Sequence, residues 1–476
     1  MATRESHFGV SVSPIGETRR SAAVRPPVLK SPLPIVAAAL GSGVLVAIAL
    51  TLDIQLGVAL LAGVLCLPLA LLNLPLAVVL WMPLAYLESW PTARFVPLGV
   101  ALIIGLAWLG TLGAGSLASE VVRRHRGTFL LLALFLAWLT VSLAWSTEPV
   151  EGAEEIWRWF VSAAVFMVIA TTLSTSRQLI AVCIAIAAVG LFALVIAVPE
   201  LSPEGAQTDE AARLGGSLEN PNFLAAELLI AMLLAVGLIA VIRPVRWRWV
   251  LAGAGAVLAF GVLLTGSRGG LIATVTAAAA ALVLVRGRRL QLVALLAGVG
   301  VVGVMLAPSS LGSLDRLREF DAGGTGRVDL WTVAWEMAKD NPVQGVGLDN
   351  FQVEAPEKLL EVGALQRADL IAETPKLVHN AYLTFLAETG IVGLSLFLLL
   401  VWTLLRATWS GARSLDKLGD KDLAALAGAI LVAQVGALVA LVFLSNPGNN
   451  PLWALFALGP VILTIAEHRG RGTTLG

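Results

Sequence analysis

Long apolar runs alternate with short polar connections over almost the whole chain, and the alternation breaks at a polar stretch from Pro308 to His379. Each run covers roughly 17–25 residues, enough to cross ~30 Å of hydrocarbon as a helix. Hydropathy predicts about 14 such spans, over 34–51, 54–71, 74–89, 96–117, 128–146, 156–173, 179–199, 222–242, 248–265, 270–285, 290–307, 381–405, 423–445 and 449–466. Asn73 and Pro75 are the turn signals inside 54–89, so that stretch reads as two spans or as one broken element. The expected fold class is all-α, a polytopic membrane helix bundle. Its parts are a tail over 1–33, transmembrane helices over 34–307, a large loop over 308–379, C-terminal transmembrane helices over 381–466 and a second tail over 467–476. A loop as long as 308–379 is more than a connection; long loops at a rigid scaffold carry function.

The charge pattern sets an orientation. Arg19, Arg20, Arg25 and Lys30 precede the first span. Alternate connections then carry Arg123-Arg124-His125-Arg126, Arg177, Arg243 with Arg246 and Arg248, Arg286 with Arg288 and Arg289, Arg406 with Arg413, and Arg469 with Arg471. The intervening connections are acidic or neutral: Glu148 to Glu155, Glu200 to Glu210, and Ser445 to Asn450. An excess of Lys and Arg marks the cytoplasmic side. Both termini are therefore expected inside, and the 308–379 loop, the 200–221 loop and the turn Gly266-Ser267-Arg268 outside.

Composition narrows the class further. The 476 residues are 58% hydrophobic and 13% charged, against roughly 25% charged in soluble domains, which excludes a large soluble core. The net charge of +0 says nothing about partners, and no nucleic-acid partner is expected. Cys66 and Cys183 lie in apolar runs, where small thiols pack, and no CxxC or His/Cys cluster points to a metal. Met1–Lys30 is polar, with no compact apolar core and cleavage site behind a charged start, and reads as a cytoplasmic tail rather than a signal peptide.

Three outer stretches carry candidate chemistry. Arg213-Leu-Gly-Gly-Ser-Leu-Glu-Asn-Pro-Asn222 is a structured turn into a span. Leu264-Thr-Gly-Ser-Arg-Gly-Gly270 joins two spans with almost no connector, and its glycines permit close backbone approach. Gly326 to Lys339 has helical spacing, with Val328, Trp331, Trp335 and Ala338 on one stripe that would lie on the membrane or pack on the bundle. Arg327 is in its first turn. Asn341-Pro342 ends it, Gly345-Val-Gly347 turns, and His379-Asn380 begins the next span. Arg213, Arg268 and Arg327 thus gather on the outer side, where the positive-inside rule calls for none. Guanidinium groups grip phosphates in a bidentate way, so an anionic, phosphate-bearing ligand fits them. A lone arginine at a span end is ordinarily a topology signal, and a lone histidine at an interface ordinarily does no chemistry; only their convergence makes the case. Glu227 and Glu388 lie inside predicted spans, where a carboxyl is costly and defaults to a functional or bonding role. Glu388 follows His379 by nine residues, half a turn out of phase, which favours an interhelical structural role.

Asn220-Pro-Asn222, Ser267-Arg268-Gly269, Arg327 with Trp331, Pro342 through Gly345-Val-Gly347, and His379-Asn380 followed by Glu388-Thr-Gly390 occur in an order that resembles the O-antigen ligase and O-antigen polymerase superfamily of bacterial membrane glycosyltransferases. The resemblance covers about 213 to 400, an O-antigen ligase-like core region, and the chain has extra N-terminal spans relative to the commonest pattern. It implies a GT-C-like, inverting transferase in the bacterial inner membrane that needs no metal or cofactor. The donor would be a glycan on undecaprenyl diphosphate. The acceptor would be a glycan or a lipid-linked hydroxyl, lipid A core among them. His379, Arg327 and Arg268 map onto the catalytic set, and Arg213, Asn222 and Asn380 onto diphosphate or glycan binding. No Asp-x-Asp lies on the outer side, which is consistent with a metal-free scheme. A polymerase of the same superfamily uses the same donor. A small-solute transporter of the inorganic-carbon type is the contrasting class; it would show internal repeats or paired broken helices at mid-membrane, and neither is evident.

Overall fold

The computed structural model describes residues 54–85, 95–113, 116–201, 214–215, 220–285, 327–362, 377–445 and 447–473. Among these the secondary structure is helical, without strands. In chain order the helices are α1 (Ile54–Leu72), α2 (Leu74–Ala85), α3 (Phe95–Leu109), α4 (Leu117–Arg124), α5 (Arg126–Ser142), α6 (Pro149–Thr172), α7 (Ser176–Ala197), α8 (Pro221–Val241), α9 (Val245–Leu264), α10 (Arg268–Leu284), α11 (Arg327–Asp340), α12 (Phe351–Val362), α13 (Ala381–Lys417), α14 (Lys421–Ala440) and α15 (Asn450–Thr473). A short 3₁₀ turn, Leu441–Phe443, extends α14.

Eight helices among the described residues are long and apolar enough to cross a membrane: α5, α6, α7, α8, α9, α13, α14 and α15. The apolar parts of α1, α2, α3 and α10 are shorter. Every predicted span except 34–51 and 290–307, which lie outside the described residues, falls on one of these helices. The stretch 54–89 is two helices, not one. Asn73 separates them, and its side-chain oxygen accepts a hydrogen bond from Leu76 N at 3.2 Å, which caps α2. The 381–405 span continues to Lys417 as α13.

The helix α8, apolar on every side apart from Asn222 and Glu227, packs on α7, α9 and α14, as a central bundle helix does. Beneath the 308–379 side the core is aromatic. Phe385 and Phe397 of α13 lie 4.6 Å apart, Phe135 of α5 meets Trp159 of α6 edge-on at 5.1 Å, and Trp453 of α15 meets Trp159 at 5.8 Å. Such tilted and edge-on pairs contribute beyond the area they bury. Large apolar side chains on α9, including Val250, Val257 and Phe260, are exposed, as a bilayer-facing surface requires.

Polar contacts sort to the two ends of the bundle. At one end Arg124 pairs with Glu120 and Glu467, Arg243 with Asp422 at 2.8 Å, and Arg469 with Asp420, while Arg469 also bonds Ser176 Oγ at 2.8 Å. At the other end the contacts join Asn222 to Ser267, Glu148 to Asn350 and His379 to Ser445. This is the alternation of basic and non-basic connections expected from the chain, realised in space.

Candidate functional site

Two helix starts meet around Ser267. Asn220, not Asn222, caps α8: its Oδ1 accepts from Asn222 N at 3.0 Å, and Pro221 takes the first helical position. Asn222 is left to accept the Ser267 hydroxyl at 2.6 Å. Ser267 is fully buried, and its Oγ in turn accepts from Gly270 N at 3.0 Å, capping α10. Arg268 is the first residue of α10, where orphan backbone N–H groups and the helix dipole already favour an anion. The two glycines after it allow close packing. A Cβ on Gly269 would stand 2.5 Å from the Phe443 ring, and one on Gly270 2.5 Å from Ala225 Cβ.

The loop helix α11 brings the second arginine. Arg327 is its first residue, and one turn further Trp331 Nε1 donates to Val378 O at 3.0 Å. The buried face of α11 is Leu330, Val333, Ala334 and Met337, which form a small separate core with Phe351, Ala355, Val378 and Ala387. The expected stripe is therefore corrected: Val328 is 60% and Trp335 49% exposed, and only Trp331 and Ala338 of the four turn inward. Burial holds the Arg327 guanidinium below its ordinary pKa, and the positive charge of Arg268 lowers it further. The two guanidinium groups thus sit within each other's field, an arrangement that an anion between them relieves.

His379 is half-buried directly before α13, with φ 53. The left-handed region is sparsely used by residues with a Cβ and costs roughly 1–3 kcal/mol, so the surroundings must enforce it. They do so through the peptide that enters the residue. His379 N donates to Ser445 Oγ at 2.6 Å, and the carbonyl of the preceding Val378 is held by Trp331. Asn380 Oδ1 accepts from Tyr382 N and Leu383 N at 3.1 and 3.2 Å, so this oxygen caps α13. Tyr382 OH donates to Leu438 O at 2.8 Å, tying the start of α13 to the end of α14.

Arg268, Arg327 and His379 are thus linked by contacts at one end of the bundle: Gly269 touches Phe443, Ser445 holds His379, and Trp331 joins the Arg327 helix to Val378. Arg213 lies outside the described residues.

A second group joins Pro342, Gly345-Val-Gly347 and Glu388-Thr-Gly390, which the sequence picks out, to Asp349 and Asn350, which it does not. Buried Glu388 accepts from Asp349 N at 3.0 Å and Phe351 N at 3.4 Å, so it holds the loop at the start of α12. Next to it α13 is interrupted at Gly390 (φ 66, ψ −171). The segment 342–347 docks in that break, with Ile391 N to Pro342 O at 2.9 Å, Val346 N to Ala387 O at 3.0 Å and Gly347 N to Glu388 O at 2.8 Å. The Gly-x-Gly and Glu-Thr-Gly motifs are one joint, and its signal in the sequence is glycine on both sides. Asn350, fully buried, bonds Glu148 N at 2.8 Å and fixes the joint to the α5–α6 connection. Asp349 (φ 58) shares this region; burial pushes its carboxyl up to about 6, against the pull of Arg158 and with help from Glu151 and Glu154. Among the described residues no group of three His, Cys, Asp or Glu side chains is placed to hold a metal ion.

Residues 253–398 match the family model described as O-antigen ligase. The matched stretch contains Arg268, Arg327, His379, Asn380, Glu388 and Gly390; Arg213 and Asn222 precede it. No curated protein matches the chain. The match makes this stretch similar to O-antigen ligases and supports a membrane enzyme of the O-antigen ligase/polymerase type. Together with the apolar helices it points to a bacterial membrane protein.

Proposed function

We propose that this protein transfers a glycan from undecaprenyl diphosphate to an acceptor hydroxyl at the outer face of the bacterial inner membrane, as an O-antigen ligase-like, metal-independent, inverting transferase. The observation that carries the reading is the Arg268–Arg327 pair: two arginines on separate elements, each at the first residue of a helix, share one electrostatic field at the end of the bundle where His379 is held in a strained backbone. The acceptor oxygen attacks the anomeric carbon from the face opposite the diphosphate. The bond from that carbon to the phosphate oxygen breaks, and its electron pair leaves on the lipid diphosphate. Arg268 and Arg327 stabilise the charge that the diphosphate gains, an interaction stronger in the transition state than in the ground state. The His379 imidazole takes the acceptor proton, the role for which this side chain is suited near neutral pH. Asn222 acts on Arg268 through the buried Ser267 cap, and Asn380 fixes the start of α13 beneath His379. With the arginine-rich end cytoplasmic, the site and the 308–379 loop face outward and both termini lie inside.

Purified protein, undecaprenyl-diphosphate glycan and a panel of acceptors, assayed in EDTA, test this directly. Wild-type transfer that is lost in His379→Ala is expected. A lipid acceptor would identify a ligase, and a second glycan a polymerase. Transfer that survives His379→Ala removes the histidine from the chemistry. Folded protein that transfers to no acceptor but moves a small solute across vesicles refutes the transferase.

A further inference from the structure

The segment from Phe443 to Ser445 touches both halves of the candidate site. Phe443 packs its ring on the backbone of Gly269, next to Arg268, and two residues later Ser445 Oγ accepts the backbone N–H of His379. Ser445 is itself buried. Beyond it the chain is fastened to the bundle. Pro447 O accepts Trp453 Nε1 at 3.0 Å, Gly448 O accepts Ser162 Oγ at 2.7 Å, and Asn449 Oδ1 accepts Leu452 N at 2.9 Å. On the near side Leu438 O is held by Tyr382 OH, three residues after His379. The segment is therefore a strap, anchored to α6, α13 and α15, with one contact on each side of the site.

The strap matters because His379 cannot hold its own backbone. A β-carbon disfavours φ 53, and the residue borders a turn rather than a ladder of hydrogen bonds. The bond from the His379 N–H to Ser445 Oγ, at 2.6 Å, holds this amide directly, and Trp331 holds the carbonyl of the same peptide. If the bond is lost, the peptide can relax toward the right-handed or extended regions, and the imidazole is carried away from its place while the rest of the fold stays intact.

We infer that Ser445 is a positioning residue: through its bond to the His379 amide it sets where the imidazole stands relative to Arg268, and so matches acceptor activation to the diphosphate side. This rests on the transferase reading above. It does not give Ser445 contact with substrate.

Three variants test it: Ser445→Ala removes the acceptor oxygen, Ser445→Thr retains it, and His379→Gln removes the imidazole. A displacement of about 1 Å in a reacting group lowers turnover by up to ~100-fold. Ser445→Ala is expected to lower kcat roughly 10–100-fold with the donor KM within about twofold, because diphosphate binding is untouched. Ser445→Thr should recover most of the loss. In a His379→Gln background, Ser445→Ala should add less than about a twofold further loss, since residues acting as one unit are not additive. An activity-free readout accompanies these. The chain has four histidines, so [15N]histidine labelling resolves the His379 amide, which should exchange slowly in wild type and Ser445→Thr and fast in Ser445→Ala. The inference is overturned by a Ser445→Ala loss that falls on donor KM, by losses that multiply independently with His379→Gln, or by a His379 amide whose exchange is unchanged. Failure of the transferase reading is distinguishable: folded wild-type protein would then transfer to no acceptor, while the His379 amide readout still responds to Ser445→Ala.

Discussion

Gly390→Ala is the sharpest perturbation of the joint that carries the outer module. Gly390 has φ 66 and ψ −171, a combination essentially confined to glycine, and forcing another residue into it costs roughly 1–3 kcal/mol. A Cβ there would also lie inside the contact shell of the Val343 carbonyl and Gln344 N. Relief requires the 342–347 segment to withdraw, which breaks the bonds from Ile391 N to Pro342 O, Val346 N to Ala387 O and Gly347 N to Glu388 O. At about 0.5–1.5 kcal/mol net for each bond, strain and bond loss together come to roughly 3–7 kcal/mol. That is comparable with the whole stability of many domains, but here it falls on one docking surface. The expected outcome is local undocking. Hydrogen exchange at Val346, Gly347 and Ile391 should rise by about 100-fold or more while α8 and α14 remain protected, and transfer should collapse because Arg327 rides on the undocked module. Gly253→Ala, where an added Cβ meets nothing within 4 Å, is the control and should leave both unchanged. Protection and transfer both retained in Gly390→Ala would refute the claim that this backbone break holds the loop.

Two further outcomes follow from the site. Asn222→Ala leaves the buried Ser267 hydroxyl without its acceptor and should cost ~1–3 kcal/mol, read as a lower Tm together with weaker donor binding; an unchanged Tm with a lower kcat would instead put Asn222 on the substrate. The Asp349 carboxyl, raised to about 6 from an ordinary 3.8, binds its proton more readily folded than unfolded, so docking of its loop is strongest below about pH 4 and weakens as pH rises through 4 to 6. Exchange of the 345–351 amides, corrected for intrinsic rates, should be slower at acid pH, and Asp349→Asn should flatten the dependence; the facing groups Glu151, Glu154, Glu155, Arg158 and Glu388 remain in that variant, and a profile it does not alter would assign the effect to them.

The bundle was legible because membrane helices announce themselves by length and apolarity, and the two-ended sorting of Arg124, Arg243 and Arg469 by the positive-inside pattern. The grouping of Arg268 with Arg327 was legible for a different reason: arginines on connections that the charge pattern leaves otherwise non-basic are unusual enough to read without contacts. The α11 face was not. Its apolar face is wide, running from Val333 round to Val328 and leaving only the Thr332–Glu336 side polar, so periodicity located the helix, while the choice of Leu330, Val333, Ala334 and Met337 over Val328 and Trp335 was made by Phe351 and Ala387, which no local pattern encodes. The resemblance assigns Asn380 to diphosphate or glycan binding, and nothing local announces that its side-chain oxygen caps α13 through Tyr382 and Leu383. Ser445 left no trace at all. A serine in a short connection is commonplace, and its part here comes from a backbone amide 66 residues away.

That separation has a consequence for how the protein is made. Helices enter a membrane in the order they are synthesised, so Arg268 is in place well before the strap exists, and His379 emerges before the serine that shapes it. On the strap reading, the His379 backbone is therefore set only after α14 has been made and the strap laid down, with α15 fastening it through Trp453. A chain that stalls with its last two helices uninserted would have every residue proposed for chemistry and no working geometry. Activity thus becomes a report on completed insertion.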